Sequence, residues 1–499
     1  MKIKEIIDSE NQQVIIDELK SRRYIDEPDV EAAEKALDPM KHDVFDPVLR
    51  PDKMVRVPPE EVAARSATSV MVTKKVDGKD AVFRQEPVAR IGLDLPSLIV
   101  KRAVAMIFGN DVIVNAQPED DAQKKVLDVM NKIRHSVKES SLNRKIARAM
   151  FSCKEAAELW FAVPVDPKDP KKKTNKYGIE SPFKLRCVPL SPLNGDKLFP
   201  YFDKTGDMIA FGREYSRQDE KKVTHTYFEA WTDEEHVVWE RMQTGFEVIL
   251  SAAHGIGKIP VVFGNEDQTE FEKVVVLIDR LEKLLSNFAD TNDYHASPKI
   301  FVKGKILGFG KKGESGQILQ GDKDTDAHYL SWDNAPESVK TEIETLLRMI
   351  YTMTQTPDIS FDAVKGIGSI SGTALKLLFT DAHLKVLDHR EVFDEYLERR
   401  YNVIKAFIGQ MDVNGLKDAA DSLITEPEIR PFMITDDAAE IDMWVNASGG
   451  QAIVSQETAI RRSSELTGVT DPKAEAETIN AESKAKSTFN LAEPTDLLD

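Results

Sequence analysis

Three glycines near the middle of the chain have the spacing of a nucleotide-binding loop. Residues 308–313 fit the pattern G-x-G-x-x-G, in which the backbone approaches a pyrophosphate at the first turn of a helix. Here Glu314, Ser315 and Gly316 lead into a β-like run instead of a helix. We therefore interpret these glycines as part of a loop and predict no dinucleotide site.

A second glycine run matches a phosphate loop only in part. Residues 255–258 read Gly-Ile-Gly-Lys, but Ile259 and Pro260 follow where a Ser or Thr would bind magnesium. Ala252 stands at the position of the upstream glycine. Because the metal-binding hydroxyl is missing, we predict no nucleoside triphosphate site.

Alternating aspartates begin a sequence like a calcium-binding loop. Asp322, Asp324 and Asp326 have the spacing of the first three ligands. Ala327 stands where the sharp turn needs a glycine, and Asp333 replaces the bidentate glutamate. A solvated acidic turn is the better interpretation.

The remaining titratable residues form no recognisable catalytic set. The nine histidines include no H-E-x-x-H motif, and His383 and His389 would lie out of phase on a helix. No nucleophile, base and acid can be singled out together. The sequence predicts a protein that is not an enzyme and that has no catalytic residues, no cofactor and no metal site.

Composition narrows the class of protein further. The chain has 499 residues and a formal charge of −18, so its surface as a whole does not favour nucleic acid. Cys153 and Cys187 are its two cysteines, which fits a reducing compartment. No apolar run approaches the ~18 residues of a membrane span, and residues 1–13 are too charged for a signal peptide.

The first half of the chain changes its periodicity several times. Residues 1–60 are acidic, with weak helical patterns over 12–19 and 30–37, and we expect them to be peripheral and partly mobile. Helical patterns follow over 95–108 and 120–151. Short β-like runs, several of them separated by turn residues, are predicted at 69–73, 81–84, 112–114, 159–165, 184–189, 208–215, 223–231, 236–239 and 246–250.

Two apolar seams of heptad-like spacing flank a short strand-rich excursion. Each seam predicts a helix of about 20 residues, or about 30 Å. The apolar positions are Phe271, Val274, Ile278, Leu281 and Leu285 in the first helix and Val339, Ile343, Leu346 and Ile350 in the second. Between them, β-like runs are predicted at 299–302, 317–319 and 328–332. The same pattern of two helices and an excursion is equally typical of a helical hairpin that packs on its own domain.

A glycine-rich loop then precedes a long helix. Pro357 ends the preceding helix because proline lacks an N–H. Gly366, Gly368 and Gly372 loosen the backbone before a helical run that extends from Thr373 to about residue 411. A plausible strand at 428–434 and helices over 438–447 and 456–466 follow, with Ser455 as a helix cap.

Three short runs resemble one protein family. They are residues 254–266, residues 372–376 and residues 455–459, the last followed by Asp471 and Pro472. They resemble the portal proteins of long-tailed double-stranded DNA bacteriophages, the head-to-tail connectors of those virions. The resemblance extends in order over about residues 60–480.

The resemblance implies an α+β, portal-type subunit assembled as a ring. The implied regions are an N-terminal peripheral segment (1–60), an α/β wing (61–268), a stem helix (269–292), a small β-containing clip (293–335), a second stem helix (336–356), a tunnel loop (357–372), a long, kinked wing helix (373–411), a returning wing strand with a helical crown (412–480) and a C-terminal tail (481–499).

It also implies partners and site residues. Twelve copies would form a dodecamer at one capsid vertex, through which double-stranded DNA is packaged and ejected without sequence specificity. The large terminase would dock at the clip, followed by head-completion or adaptor proteins, and the ring would meet major capsid and scaffold proteins but no membrane. The tunnel loop would present Asp362, Val364, Lys365, Gly366, Ile367 and Gly368 to DNA, and the clip would present Lys303, Lys305, Lys311 and Lys312.

Two other classes stay open at this point. An intracellular nucleotide-binding enzyme with a helical hairpin is one, and another capsid or connector component is the other. The portal interpretation places the chain in the virion, and in the host cytoplasm during assembly.

The acidic charge predicts weak binding of the free ring to DNA. Twelve copies at −18 each carry about −216, a field that repels a duplex rather than holding it. We expect micromolar or weaker binding that falls with added salt, measured by fluorescence anisotropy of a labelled duplex across a salt series. Nanomolar affinity at physiological salt would contradict this expectation.

Overall fold

The computed structural model describes most of the chain. The described residues are 1–57, 71–76, 79–166, 168–169, 172–295, 299–303, 306–308, 320–321, 326–330, 336–357, 379–411, 415–432, 442, 445–447, 454–469 and 471–489. They divide into two compact units: Met1–Pro357 with Ala382–Pro431, and Asp358–Asp381 with Phe432–Asp499.

Helices and strands both contribute, as the predicted α+β class requires. The helices are α1 (Ile3–Ile6), α2 (Gln12–Leu19), α3 (Val30–Leu37), α4 (Leu95–Phe108), α5 (Asp121–Val137), α6 (Glu139–Cys153), α7 (Val275–His295), α8 (Pro336–Met353), α9 (Thr380–Met411), α10 (Leu416–Ser422), α11 (Gln456–Thr467) and α12 (Pro472–Phe489). The strands are β1 (Lys53–Arg56), β2 (Met71–Val76), β3 (Lys79–Glu86), β4 (Ile113–Ala116), β5 (Glu155–Pro164), β6 (Phe183–Leu190), β7 (Lys197–Phe202), β8 (Met208–Gln218), β9 (Thr224–Trp231), β10 (Glu235–Met242), β11 (Gly245–Ala253), β12 (Val261–Asn265), β13 (Lys299–Lys303), β14 (Ile306–Gly308), β15 (Gln320–Gly321), β16 (Asp326–Leu330) and β17 (Thr425–Glu428).

The largest sheet is an antiparallel meander of five strands, in the order β11-β10-β9-β8-β7. Its first turn is held by Asp203, whose Oδ1 accepts the backbone N–H groups of Thr205 at 2.7 Å and Asp207 at 3.0 Å. Gly206 supplies a φ of +94° there, which residues with a Cβ seldom adopt. This turn joins the β7 and β8 strands of the meander.

The N-terminal helices pack on this sheet. Ile15, Ile16 and Leu19 of α2 are buried in one cluster with the sheet residues Phe228 and Trp239. The Trp239 indole N–H also donates to the side chain of Gln12 at 2.7 Å. The expectation that residues 1–60 are peripheral is therefore wrong for this part, because an eight-residue helix gives too short a pattern to reveal its buried face.

A second sheet has the order β12-β5-β6. Sequence analysis missed β12 and also β7, since both are short continuous apolar runs without alternation. In β12, Gly264 lies so close to α9 that an added Cβ would be 2.7 Å from the Tyr396 ring. The strands predicted at 159–165 and 184–189 are confirmed as β5 and β6.

The returning strand lies earlier than predicted. It is β17 at Thr425–Glu428, and it pairs antiparallel with β4. The predicted range of 428–434 is wrong in position, since residues 429–432 form no strand; residues 433–434 lie outside the described residues.

The helical hairpin and the long helix follow the predicted order. A 3₁₀ turn at Glu272–Val274 leads into α7, and α8 ends three residues before the predicted boundary at 356. The excursion between them contains the antiparallel pairs β13–β16 and β14–β15. The long helix α9 extends to Met411, while residues 373–378 of its predicted start lie outside the described residues.

In the second unit, α11 and α12 pack against each other. The Ser455 side chain accepts the Thr458 N–H at 3.2 Å, which confirms the predicted cap. Of the helix predicted at 438–447, residues 442 and 445–447 are described, and they are helical. None of the helices in the described ranges combines the length and apolar composition that a membrane crossing needs.

The buried position of α2 gives a test by substitution. Ile16→Ala should lower the free energy of unfolding by about 2–5 kcal/mol, because Ile16 is fully buried. Val14→Ala on the same helix is the matched control, since Val14 is 49% exposed, and it should change stability by less than about 0.5 kcal/mol. Urea unfolding at one protein concentration measures both, and equal small effects would contradict the assignment of α2 to the core.

Candidate functional site

Helices α7 and α8 contact each other as an antiparallel hairpin, and most positions of the predicted apolar seam are buried. Arg280 Nε of α7 donates to Glu342 Oε1 of α8 at 2.9 Å, which fixes the two helices side by side. The predicted positions that are buried are Phe271, Val274, Ile278, Leu281, Leu346 and Ile350, and the half-buried ones are Leu285, Val339 and Ile343. Burial at most of these positions agrees with the periodicity, while their packing of one stem helix against the other stays a prediction, since Phe271 and Ile278 line a cavity together with Ala33.

A row of polar side chains on α7 holds an extended segment of the chain. Glu282, Ser286 and Asp290 follow one another at four-residue intervals, so they lie along one helix face. Each of the three side chains accepts one backbone N–H, and the donors are the alternate residues 89, 91 and 93. The pairs are Leu93 N to Glu282 Oε1 (2.7 Å), Ile91 N to Ser286 Oγ (3.0 Å) and Ala89 N to Asp290 Oδ1 (2.9 Å).

The same face binds residues from the N-terminal segment. His42 Nδ1 lies 2.7 Å from Glu282 Oε1, and both side chains are buried. Arg50 donates to Asn287 Oδ1 at 2.8 Å and to Asp290 Oδ2 at 2.9 Å. The hydrogen bond to Glu282 outweighs burial and raises the pKa of His42, which favours the charged imidazolium beside the buried carboxylate.

A charged cluster joins the base of the hairpin to α9. His389 Nε2 lies 2.8 Å from Glu270 Oε1, and its Nδ1 lies 3.0 Å from Glu266 Oε1. Lys385 forms an ion pair with Glu270 and donates to the Thr354 carbonyl at 2.8 Å. The cluster therefore fixes three segments: the entry to the first hairpin helix, the residue after the second, and α9.

The cluster changes the protonation of its members. Burial would lower the pKa of His389, but hydrogen bonds to Glu266 and Glu270 outweigh it and raise that pKa to about 9. Burial would raise the pKa of Glu270, but its hydrogen bond to His389 and the charge of Lys385 hold that pKa below its usual value. At neutral pH His389 is therefore protonated, and the lowered pKa of Glu270 favours its carboxylate form.

A second charged network anchors α9 to the rest of the first unit. Arg400 is fully buried and donates to both oxygens of Glu158 on β5, at 2.7 and 2.8 Å. It also donates to Asn143 of α6. Glu139, at the start of α6, accepts Arg134 Nε at 2.6 Å. Because a buried guanidinium needs several acceptors, this network specifies the position of α9.

The predicted tunnel loop falls between these anchored ends. Asp362, Val364, Lys365, Gly366, Ile367 and Gly368 all lie outside the described residues. On the near side, the Pro357 carbonyl accepts Arg102 Nη1 of α4 at 2.9 Å. The chain leading into the loop is thus tied to α4 as well as to Lys385.

One of the four predicted clip lysines lies within the described residues. Lys303 ends β13, opposite Asp326 of β16, and is exposed. Lys305, Lys311 and Lys312 lie outside the described residues. Of the four lysines predicted to face partners at the clip, the structure therefore places Lys303.

Of the enzyme-like motifs, the glycine run at 255–258 lies wholly within the described residues. Gly255 and Gly257 have φ near +70° in a turn that leads towards β12, and Ile256 between them is buried. Burial raises the pKa of Cys153 to about 12, so it is not a thiolate nucleophile at neutral pH. Among the residues that the structure describes, no three His, Cys, Asp or Glu side chains are arranged to hold a metal ion.

Comparison with known families identifies the class of protein. The family described as "Phage portal protein, SPP1 Gp6-like" matches residues 84–488. The match covers well over half of the chain, and the chain belongs to this family. It therefore has the structural role of a portal, or head-to-tail connector, as the resemblance of its sequence implied.

Two solved structures are similar to this chain at low identity. One is described as "Neck of empty GTA particle computed with C6 symmetry"; identity is 11%, the TM-score is 0.40, and the match covers 75% of this chain and 89% of that one. The other, "Virion of native gene transfer agent (GTA) particle", has 11% identity, a TM-score of 0.35 and the same coverage. No curated protein matches.

Sequence reasoning missed the polar residues that position the site. The spacing of Glu282, Ser286 and Asp290 was a usable signal, because residues four apart lie on one face of a helix. Glu270, Lys385 and His389 gave no such signal. Their partners come from distant parts of the chain.

The charged cluster predicts how stability depends on pH. The folded-state pKa of His389 lies above its unfolded value, so its contribution is fully present below pH 6.5 and is lost as the pH rises to about 9. The change corresponds to about 3 kcal/mol. His389→Gln should flatten this part of the stability profile, measured by urea unfolding at pH 6.0, 7.5 and 9.0.

His135→Gln, at the end of α5, is the control and should leave the wild-type profile unchanged. A His389→Gln profile as steep as that of the wild type between pH 6.5 and 9 would show that the cluster does not titrate in this way.

Proposed function

We propose that this chain is one wedge of a ring at a single capsid vertex, through which double-stranded DNA enters during packaging and leaves during ejection. The ring has twelve subunits, and DNA passes through its centre without sequence-specific contacts. The observation that carries the proposal is the family match over 84–488, together with the order helix, strand-rich excursion, helix, loop and long helix within that span.

The geometry of the hairpin suits a channel wall. The α7–α8 pair, the stem of the proposed subunit, is a strut about 30 Å long, with its base fixed to α9 by Glu270, Lys385 and His389. A strut that is held at its base transmits force to the rest of the subunit. The excursion 293–335 at its far end is the proposed clip, which docks the large terminase first and head-completion or adaptor proteins later.

Residues 357–372 are the proposed tunnel loop. Asp362, Val364, Gly366, Ile367 and Gly368 would line the channel, while Lys365 would touch phosphates transiently; a merely solvated lysine is the alternative. The net charge of −18 on each chain supports passage rather than retention of DNA. The wing and crown would face major capsid and scaffold proteins in the virion, after assembly in the host cytoplasm.

Imaging and a loop deletion test this function together. We expect the purified protein to form annular particles with a central hole in negative stain. Deleting residues 362–368 should leave the rings intact and lower the yield of DNA-filled particles by at least tenfold, because the loop acts on DNA and the rings are held elsewhere. Replacing the same seven residues with Gly/Ser is the matched control for loop length.

A chain that stays a single subunit at high concentration would contradict the ring. Equal loss of rings and of packaging in the deletion variant would make the loop a part of the subunit contact instead.

A further inference from the structure

A cavity of about 370 Å³ is lined by residues of α4, of α6 and of the segment at the end of β6. Its walls include the apolar side chains of Val100, Leu190 and Leu193. The described residues that line it include none from the cluster around His389 or the network around Arg400. Ligand pockets in proteins commonly begin at about 300 Å³, so the cavity is large enough for a few side chains of a bound peptide.

Three cations line this cavity. Lys145 and Arg148 come from one face of α6, and Lys101 comes from α4. Lys145 and Arg148 are exposed, and neither forms an ion pair within the part of the chain that the structure describes. Lys101 Nζ lies 3.6 Å from Asp94 Oδ2, so its charge is partly balanced. Two positive charges at the cavity are therefore left without compensation.

No carboxylate among the described residues lines the cavity. Asp196 is close to its wall, because its Oδ2 accepts the N–H of the lining residue Ser191 at 3.1 Å. Its Oδ1 accepts an N–H of Arg213 at 2.7 Å, so the charge of Asp196 is balanced inside the fold. On a chain whose formal charge is −18, this cavity is locally cationic, and its charge is complementary to an anion.

A buried hydroxyl adds a hydrogen-bond donor. Ser152 follows Arg148 by four residues, so both lie on the same face of α6. Ser152 lines the cavity and is 2% exposed. Its Oγ forms no hydrogen bond with the residues that the structure describes. Because a buried polar group without a partner is destabilising, this hydroxyl favours a ligand that brings an acceptor atom into the cavity.

The apolar walls decide which kind of anion fits best. A small inorganic anion would satisfy the donors but would leave Val100, Leu190 and Leu193 uncovered. The phosphates of a duplex lie on a rigid cylinder and do not extend into a cavity. A carboxylate at the end of a flexible side chain can reach Ser152, while apolar neighbours in the same peptide cover the walls and exclude water.

We propose that this cavity binds an acidic peptide segment of a partner protein. One carboxylate of the segment meets Lys145, Arg148 and the Ser152 hydroxyl, and its apolar neighbours lie on the walls. The charge complementarity between a cationic rim and an acidic segment carries this choice of occupant. The site is separate from the proposed tunnel loop and clip, and it does not depend on the proposed ring.

Peptide binding tests the site directly. The probe is a fluorescein-labelled peptide in which one glutamate stands between two leucines, and its anisotropy is measured against the full-length protein. We expect saturable binding that weakens as salt is added. The same peptide with glutamine in place of glutamate should bind about tenfold more weakly or worse, because it cannot form charge-assisted hydrogen bonds.

Substitutions at the cavity should separate charge from hydrogen bonding. Lys145→Gln with Arg148→Gln should weaken binding of the acidic peptide by about tenfold or more. Lys204→Gln with Lys221→Gln is the matched control, because it removes the same charge from two exposed positions elsewhere and should leave the affinity unchanged. Ser152→Ala should weaken binding by about fivefold and keep its salt dependence.

Equal affinity for the two peptides, or no effect of the cavity substitutions, would overturn the inference. Displacement of the peptide by an equal concentration of inorganic phosphate would make a small anion the ligand. Tighter binding of a labelled duplex that Lys145→Gln with Arg148→Gln abolishes would make the cavity a DNA contact. Either result would overturn the peptide assignment.

The same variants distinguish this inference from the proposed function. Loss of annular particles in Lys145→Gln with Arg148→Gln would make the cavity a contact between copies and would overturn its assignment to a separate partner. Absence of annular particles in wild type, with specific peptide binding intact, would overturn the proposed ring and support the site.

Discussion

Three largely or fully desolvated carboxylates hold the first unit together. Glu158, Glu270 and Glu282 are each removed from water, and each meets a cationic partner supplied by a distant part of the chain. Removing one partner from a buried pair costs about 3–5 kcal/mol, because the other charge is left without compensation. The pairs therefore allow few alternative arrangements of the segments that they join.

The positions of these carboxylates explain the architecture. Glu158 fixes α9 to the central sheet, Glu270 fixes the base of the hairpin to α9, and Glu282 fixes the N-terminal segment to α7. These pairs therefore hold the entry to α7, the residue after α8 and α9, which flank the regions predicted as clip and tunnel loop. Such a frame keeps the hairpin and α9 in fixed positions relative to the central sheet.

The N-terminal segment packs against the first unit at two places. Its first part, α2, buries Ile15, Ile16 and Leu19 against the five-stranded sheet. Its later part lies on α7 and leaves Val48 and Leu49 exposed. Exposed apolar side chains that occur singly or in pairs are common on protein surfaces. One short stretch thus stabilises the subunit at two separate places.

The sequence by itself determined the elements whose patterns repeat over several turns. These include the apolar seams from Ile278 to Leu281 and from Leu346 to Ile350 and the helix at 95–108. They could be predicted directly, because a 3.6-residue period is visible without knowing what the helix packs against. Three short runs also sufficed to indicate the portal family. Tertiary structure alone decided the burial of α2, the register of β17 on β4 and the cluster around His389. Each of those depends on residues more than a hundred positions apart, and a local pattern contains no information about which distant side chain will remove a given group from water.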